Sequence, residues 1–480
     1  MRNYGRTCVV LAGCVLLGTL FAAAGDWPQW RGPNRDGKAA DFAAPETWPA
    51  ELALQWKASV GAGDAAPVLA GDKVYVFSRQ GGDEVVRCLN AADGAEVWAD
   101  KVAVAEISGP DAREHAGPRG TPAIADGKIV TLGVTGIVSC LDAATGSVLW
   151  RKEDFPGAWP RFHVASSPIL VDGMAIVQLG KSGEGAIVAY DLATGEQKWK
   201  LDDEGPGYAS PVLMDLGGEK AIVAQTEKSV VAVDVAAGQL LWSTPYEPQG
   251  MAYNAITPIV DGQTAIYFGQ GREAAAVRLE KQGGAVSATE IWKTRDNSVK
   301  FSTPVLKDGY IYGLSEKDEF FCMDAKSGTT AWTAPAAAPA AEGQAQAEAP
   351  APGMGREGGM GREGGMRREG REMAQAAGEG AAPGMGGREG GMMGRPGGMR
   401  GSGGGGMGRN AGYGSIIDGG SVMLALTPAM QLIVFEPSPK AYSELARIKV
   451  ADSATFAHFI ASGKSVIVKD SDSVALFSLP

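Results

Sequence analysis

Six side chains able to hold charge or make hydrogen bonds stand at comparable places in a chain that otherwise repeats itself: Arg119, His163, Tyr208, Asn254, Lys300 and His458. Each lies a few residues before a short apolar run, and five of those runs open with Pro122, Pro168, Pro211, Pro258 or Pro304. Arg161, Tyr253 and Phe301 stand alongside. Side chains that build a repeat recur, whereas a binding site on a pseudo-symmetric body must break the repeat. These residues differ from unit to unit. Gathered at one mouth, they suit an anionic or carboxylate-bearing small ligand; the alternative is that they face water and fix loop turns.

Other chemistry is thinly represented. The three histidines, His115, His163 and His458, have no metal-ligand spacing, and no Ser/His/Asp or Cys/His nucleophile arrangement is legible. No catalytic residue and no metal ligand is predicted. Cys88, Cys140 and Cys322 each fall two residues before a turn residue, where Ala189 and Ala232 stand in other units. They read as small buried residues, free rather than disulfide-bonded.

The elements that must position these groups follow from one stretch, Ala189 to Trp199, "AYDLATGEQKW". It reads as strand, tight turn, strand. Asp191 can accept hydrogen bonds from the turn it opens, Thr194 adds its hydroxyl, and Gly195 supplies a positive φ. The indole of Trp199 is too large for one hairpin to bury, so a neighbouring copy must cover it. Copies end at Trp56, Trp98, Trp150, Trp199, Trp242, Trp292 and Trp332, in steps of 40 to 52 residues. That period, with four short alternating strands per unit, predicts an all-β chain of propeller blades.

The two ends decide closure. Trp56 sits on "LALQWKASV" with no hairpin ahead of it, while the C-terminal segment from Phe456 supplies three strands and stops. Pairing them completes one blade and removes two exposed edges. With a degenerate unit from Gly414, the sum is an eight-bladed β-propeller of four-stranded blades, its last blade closed by the N-terminal strand.

The remaining segments set the domain organisation. Residues 1–24 read as an export signal: Arg2 and Arg6, an apolar core from Thr7 to Phe21, and Ala22-Ala23-Ala24 before Gly25. Leu11-Ala12-Gly13-Cys14 also matches a lipoprotein box, which leaves a lipid anchor at Cys14 as the alternative. Residues 25–50 form a Trp/Pro-rich arm whose Trp27, Trp30 and Trp48 dock onto the body; a ligand or partner site at Trp30 and Arg31 is the sharper reading. Residues 51–333 hold the closing strand and blades one to six, and residues 413–480 hold blades seven and eight. Between them, residues 334–412 are Ala/Pro-rich, then Gly/Met/Arg-rich, and read as a disordered loop. That loop holds nine of the chain's 16 methionines, from Met354 to Met407, which makes Cu(I) binding an alternative to a surface tether. The net charge of −11 argues against nucleic-acid binding, and no segment is apolar enough for a transmembrane span. A monomer is expected.

The unit "A-x-D-x-x-T-G-x-x-x-W" resembles the tryptophan-docking repeat of the pyrroloquinoline-quinone (PQQ) propellers. Ala189, Asp191, Thr194, Gly195 and Trp199 match it in full; Cys140, Asp142, Thr145, Gly146 and Trp150 match it with Cys in the Ala slot. The resemblance extends from about residue 51 onward except the loop, and "WPQWRGPNRDG" is similar to the opening of exported PQQ-like repeat proteins. It implies each Trp packed on the adjacent blade. It also implies one of two roles. The non-catalytic branch, BamB-like, implies a binding or assembly scaffold with envelope proteins as partners. The dehydrogenase branch implies PQQ with Ca²⁺ and oxidation of alcohols or sugars. The adjacent Cys-Cys pair of that branch, its haem signature C-x-x-C-H and a matching Ca²⁺ set are absent from the sequence. The first role is therefore expected, in the periplasm or elsewhere in the cell envelope, with no cofactor.

Overall fold

The computed structural model describes residues 25–107, 115–202, 204–250, 252–337 and 411–480. The expectations for an export signal, a Cys14 anchor and nearly all of the 334–412 loop fall outside these residues. Every sheet has four strands, there are eight of them, and no helix occurs among the described residues. Blades one to seven span residues 68–103, 123–152, 169–202, 212–245, 259–294, 305–335 and 415–449. The eighth combines residues 460–478 with the N-terminal strand Ala53–Ser59, which runs antiparallel to Ser473–Ser478 with Trp56 opposite Leu476. The protein is an eight-bladed propeller closed by its N-terminal strand.

Within a blade the second and third strands are buried almost throughout, while the fourth alternates buried and exposed residues. This follows from stacking sheet on sheet. The middle strands are covered on both faces, so they read as apolar runs such as "MAIVQL", and only the outer strand keeps a wet face.

The tryptophans join blade to blade. Trp56 Nε1 donates to Ala91 O (2.8 Å), Trp98 to Ala143 O (3.1 Å), Trp150 to Leu192 O (3.1 Å), Trp199 to Val235 O (2.8 Å), Trp292 to Ala325 O (2.8 Å) and Trp332 to Ser438 O (2.8 Å). Each acceptor belongs to the turn before the fourth strand of the next blade. Trp242 is the exception. Blade five replaces the Asp-anchored turn by a long hairpin ending at Gly283-Gly284, and no carbonyl accepts from Trp242 among the described residues. That ring packs instead beside Leu241 and Tyr246 in an apolar cluster.

The turn glycines have a second duty. Gly195 has φ of 72°, and a Cβ there would come within 2.7 Å of the Trp150 ring. Gly94, Gly146, Gly238 and Gly328 lie equally close to Trp56, Trp98, Trp199 and Trp292. Positive φ and a missing Cβ are thus required at once. Asp191 Oδ1 accepts from Ala193 N, Thr194 N and Thr194 Oγ1, as Asp142 and Asp324 do in their own turns.

Candidate functional site

The inner strands start on one face of the ring and line its channel. A hydroxyl residue precedes proline at five of these starts: Thr121, Ser167, Ser210, Thr257 and Thr303. Four of them tie neighbouring blades. Thr121 Oγ1 accepts from Ala66 N, Ser167 Oγ from Thr121 N, Ser210 Oγ from Ser167 N and Thr303 Oγ1 from Thr257 N. The hydroxyl before each proline was the available sequence signal for this belt. The belt's hydrogen bonds stop in blades seven, eight and one, where Ser415, whose hydroxyl has no partner among the described residues, His458 and Ala66 occupy the corresponding places.

The arm enters the channel from the opposite face. Trp27 exchanges backbone hydrogen bonds with Leu69, Pro28 O accepts from Ile124 N, and Gly37 and Ala39 bracket Asp418. Asp41 accepts from Ser462 Oγ and Gly463 N. From this seat two guanidiniums reach up the channel. Arg31 donates to Thr303 O (2.6 Å) and Pro304 O (2.7 Å), and Arg35 donates to Ser167 O (3.3 Å) and Pro168 O (2.8 Å). Both residues are left-handed, with φ of 60° and 59°, and both are buried. Burial pushes the Arg31 guanidinium down to about 10, offset in part by Asp36, and Arg35 to about 9. Trp30 Nε1 donates to Thr257 Oγ1 (3.0 Å), and its ring meets His458 edge-on at 5.2 Å. Trp48 is partly buried against the cluster that holds Trp27 and Phe42.

The six residues singled out in the sequence divide into two groups. Arg119, Tyr208 and Lys300 lie half-buried on the connection face. Arg119 donates to Phe162 O and His115 O, while Tyr208 Oη accepts from Phe162 N, so two neighbours clamp the backbone of one residue from both sides. Phe162, Tyr208 and Tyr253 form a mutual aromatic cluster with centroids 4.6–6.1 Å apart, and Arg161 lies over Phe162. Lys300 sits over Phe301, which stacks on Tyr413 at 4.2 Å.

The other three are interior. Asn254 is buried and committed to the framework: Nδ2 donates to Thr226 O, Glu227 O and Tyr246 O, and Oδ1 accepts from Arg272. Its carbonyl takes Tyr208 N and Ala209 N as well. His163 is buried at φ of 64°, its N–H on Pro160 O and its ring stacked on Trp159. His458 lies inside the channel, where burial and then Arg31 push its imidazole down to about 3. It is neutral at ordinary pH.

Sequence reading missed three further groups. His115 Nδ1 lies 2.5 Å from Asp64 Oδ2, beneath Tyr413 and Phe456. Lys469 is buried at the closing blade, its ammonium on Gly63 O and Asp470 O, and burial pushes it down to about 8. Glu84 is buried between blades one and two, with Oε1 accepting from Val134 N. No spacing rule marks isolated buried charges; only the assembled ring brings them together.

A divalent cation needs convergent anionic oxygens. The channel instead presents two guanidiniums, whose carbonyl partners are already engaged. Among the described residues no group of three or more His, Cys, Asp or Glu could hold a metal ion. Cys88, Cys140 and Cys322 are free and buried.

A family model described as outer membrane protein assembly factor BamB matches residues 82–334, just over half of the chain. The chain belongs to this family of PQQ-like repeat propellers. Among BamB relatives, that of Xanthomonas campestris pv. campestris is 25% identical over 292 residues, 59% of this chain and 69% of the relative. The quinohemoprotein alcohol dehydrogenase of Comamonas testosteroni is 28% identical over 158 residues, 31% of this chain and 22% of the relative. The chain spans no more than 59% of the length of the first three curated relatives it matches. In structure, the BamB of Moraxella catarrhalis aligns with a TM-score of 0.56 at 12% identity, covering 89% of this chain and all of that one. Among the described residues, no helix is long and apolar enough to cross a membrane.

Proposed function

We propose that this propeller is a non-enzymatic binding and assembly scaffold of the cell envelope, acting in the periplasm or an equivalent exported location. Membership of the BamB family supports the role. The observation that carries it is the contrast between the two ends of the channel. One end is filled by the chain's own arm through Arg31 and Arg35. The other displays Arg119, Arg161, Tyr208, Tyr253, Lys300 and Phe301, side chains that break the eightfold repeat and remain at least partly exposed. A rigid ring with one idiosyncratic face suits recognition of envelope proteins, by aromatic and cationic anchors at a rim.

The test is cross-linked capture from an envelope fraction, comparing the parent chain with a Tyr208→Ala/Phe301→Ala/Lys300→Ala variant and with a chain lacking residues 334–412. Defined partners lost in the rim variant support the reading. Partners lost only in the shortened chain move recognition to that segment.

A second reading, a PQQ-dependent dehydrogenase, draws on the likeness to the Comamonas enzyme. Dye reduction with alcohols or aldose sugars after addition of PQQ and Ca²⁺ separates the two. Sustained turnover overturns the scaffold reading.

A further inference from the structure

In or against blades six to eight, four buried polar atoms find no protein partner among the described residues: Arg31 Nε, Ser302 Oγ, Ser415 Oγ and His458 Nε2. All four residues are at least nine-tenths buried. Arg35 Nε and Ser166 Oγ form a comparable pair at blade three, and in blades six to eight a second serine and an imidazole join the pair. Ser302, Ser415 and His458 stand at the inner-strand starts of three consecutive blades, six, seven and eight. Arg31 reaches the same quarter of the channel through Thr303 O and Pro304 O, and it acts electrostatically on His458.

The surroundings make an enclosure. Below lies the arm, with Trp30 edge-on to His458. Above lies an aromatic cover drawn from the residues just ahead in sequence: Phe301 before Ser302, Tyr413 before Ser415, Phe456 before His458. Phe301 stacks on Tyr413 at 4.2 Å, Tyr413 meets Phe456 at 5.1 Å, and His115 closes the group against both. Burying one such polar atom without a partner costs on the order of 1–3 kcal/mol, a cost that ordered water or a bound ion removes.

The donor and acceptor roles select its chemistry. His458 Nδ1 lies 3.3 Å from Phe459 O, an acceptor, so Nδ1 carries the proton and Nε2 offers a lone pair. Arg31 Nε–H can only donate, and the two serine hydroxyls can do either. The guanidinium also has no carboxylate among its hydrogen-bond partners. We infer that the enclosure formed by Arg31, Ser302, Ser415 and His458 binds a small oxyanion that still carries a hydroxyl, such as hydrogen phosphate or bicarbonate. Its charged oxygen faces Arg31 and the serines, and its O–H donates to His458 Nε2.

Sulfate has the size and charge but no hydroxyl at neutral pH, so discrimination against it is the signature. The inference stands apart from the scaffold reading, because its readout is ion binding and not partner capture.

Titration calorimetry on the full chain with inorganic phosphate, bicarbonate and sulfate tests it. Saturable binding of phosphate or bicarbonate at one site, with sulfate weaker by about tenfold or more, is expected. His458→Ala is expected to weaken the hydroxylated ion by about tenfold and to narrow its lead over sulfate. Ser302→Ala, a milder change, guards against misfolding of the histidine variant and is expected to weaken binding several-fold. Phenyl phosphate at about pH 8, a dianion without a hydroxyl, is expected not to bind, which separates the free ion from an ester headgroup. Equal binding of sulfate and phosphate, tight binding of the ester dianion, or no saturable binding of any ion overturns the inference.

Discussion

Arg31 and Arg35, four residues apart in the arm, hold equivalent pairs of carbonyls in two different blades: Thr303 and Pro304 in blade six, Ser167 and Pro168 in blade three. Each guanidinium spans an Xaa-Pro step, where the proline contributes no N–H and the carbonyls have no ladder partner. The arm is thereby a strap across the channel. Its left-handed arginines cost about 1–2 kcal/mol each in backbone strain, which the buried hydrogen bonds must exceed.

Replacing Arg35 by Ala removes both bonds and leaves two buried carbonyls unpaired. The expected loss is about 2–4 kcal/mol of unfolding free energy, read from the chemical denaturation midpoint. Arg35→Lys recovers only part, since an ammonium cannot reproduce the planar fork. An unchanged midpoint for Arg35→Ala removes the strap.

Gly195→Ala combines a strained φ with a Cβ pressed against Trp150. We expect about 2–4 kcal/mol of destabilisation, well above the ordinary cost of alanine at a left-handed glycine. Gly127→Ala serves as control: its φ is 69°, yet a Cβ there would meet nothing within 4 Å, so only the conformational part, about 1 kcal/mol, should appear. Equal losses for the two variants would show that the indole yields freely.

Burial pushes the Glu84 carboxyl up to about 7, against its ordinary value near 4.5; Val134 N–H and Arg79 act in the opposite sense. The folded state therefore holds this proton more tightly than the unfolded chain. The stabilisation is fully present below about pH 4.5 and is lost as the pH rises through about 7, on the order of 3 kcal/mol in all. Denaturation series at successive pH values should show that decline, and Glu84→Gln should flatten it. A slope that survives the substitution assigns the effect elsewhere.

The thiols of Cys88 and Cys322 are pushed up by burial to about 11 and that of Cys140 to about 12. None should react with a thiol reagent in the native protein at neutral pH, and all three should react after unfolding. Rapid native labelling would mean that the blade interiors open.

The ring itself was legible because its glue is local. Asp191, Thr194, Gly195 and Trp199 lie within nine residues, and their recurrence states the period and closure. The channel was only half legible. Lys300 and Tyr208 stand at the rim, but Asn254 and His458 occupy equivalent places and point inward, because a position in a loop does not say which way the loop turns. The arm's arginines were harder still. Their partners lie more than 130 residues away, and those partners are backbone carbonyls, which carry no sequence signature.

Among the described residues the strand Ala53–Ser59 has one strand partner, Ser473–Ser478, which lies more than 400 residues further along the chain. During translation all seven intervening blades must therefore exist before this strand can be zipped in. Until then the nascent molecule carries two raw sheet borders, and whatever escorts it must keep them from meeting a stranger's. Ring closure makes the finished protein its own proofreader: a product cut short before Ser473 cannot shut.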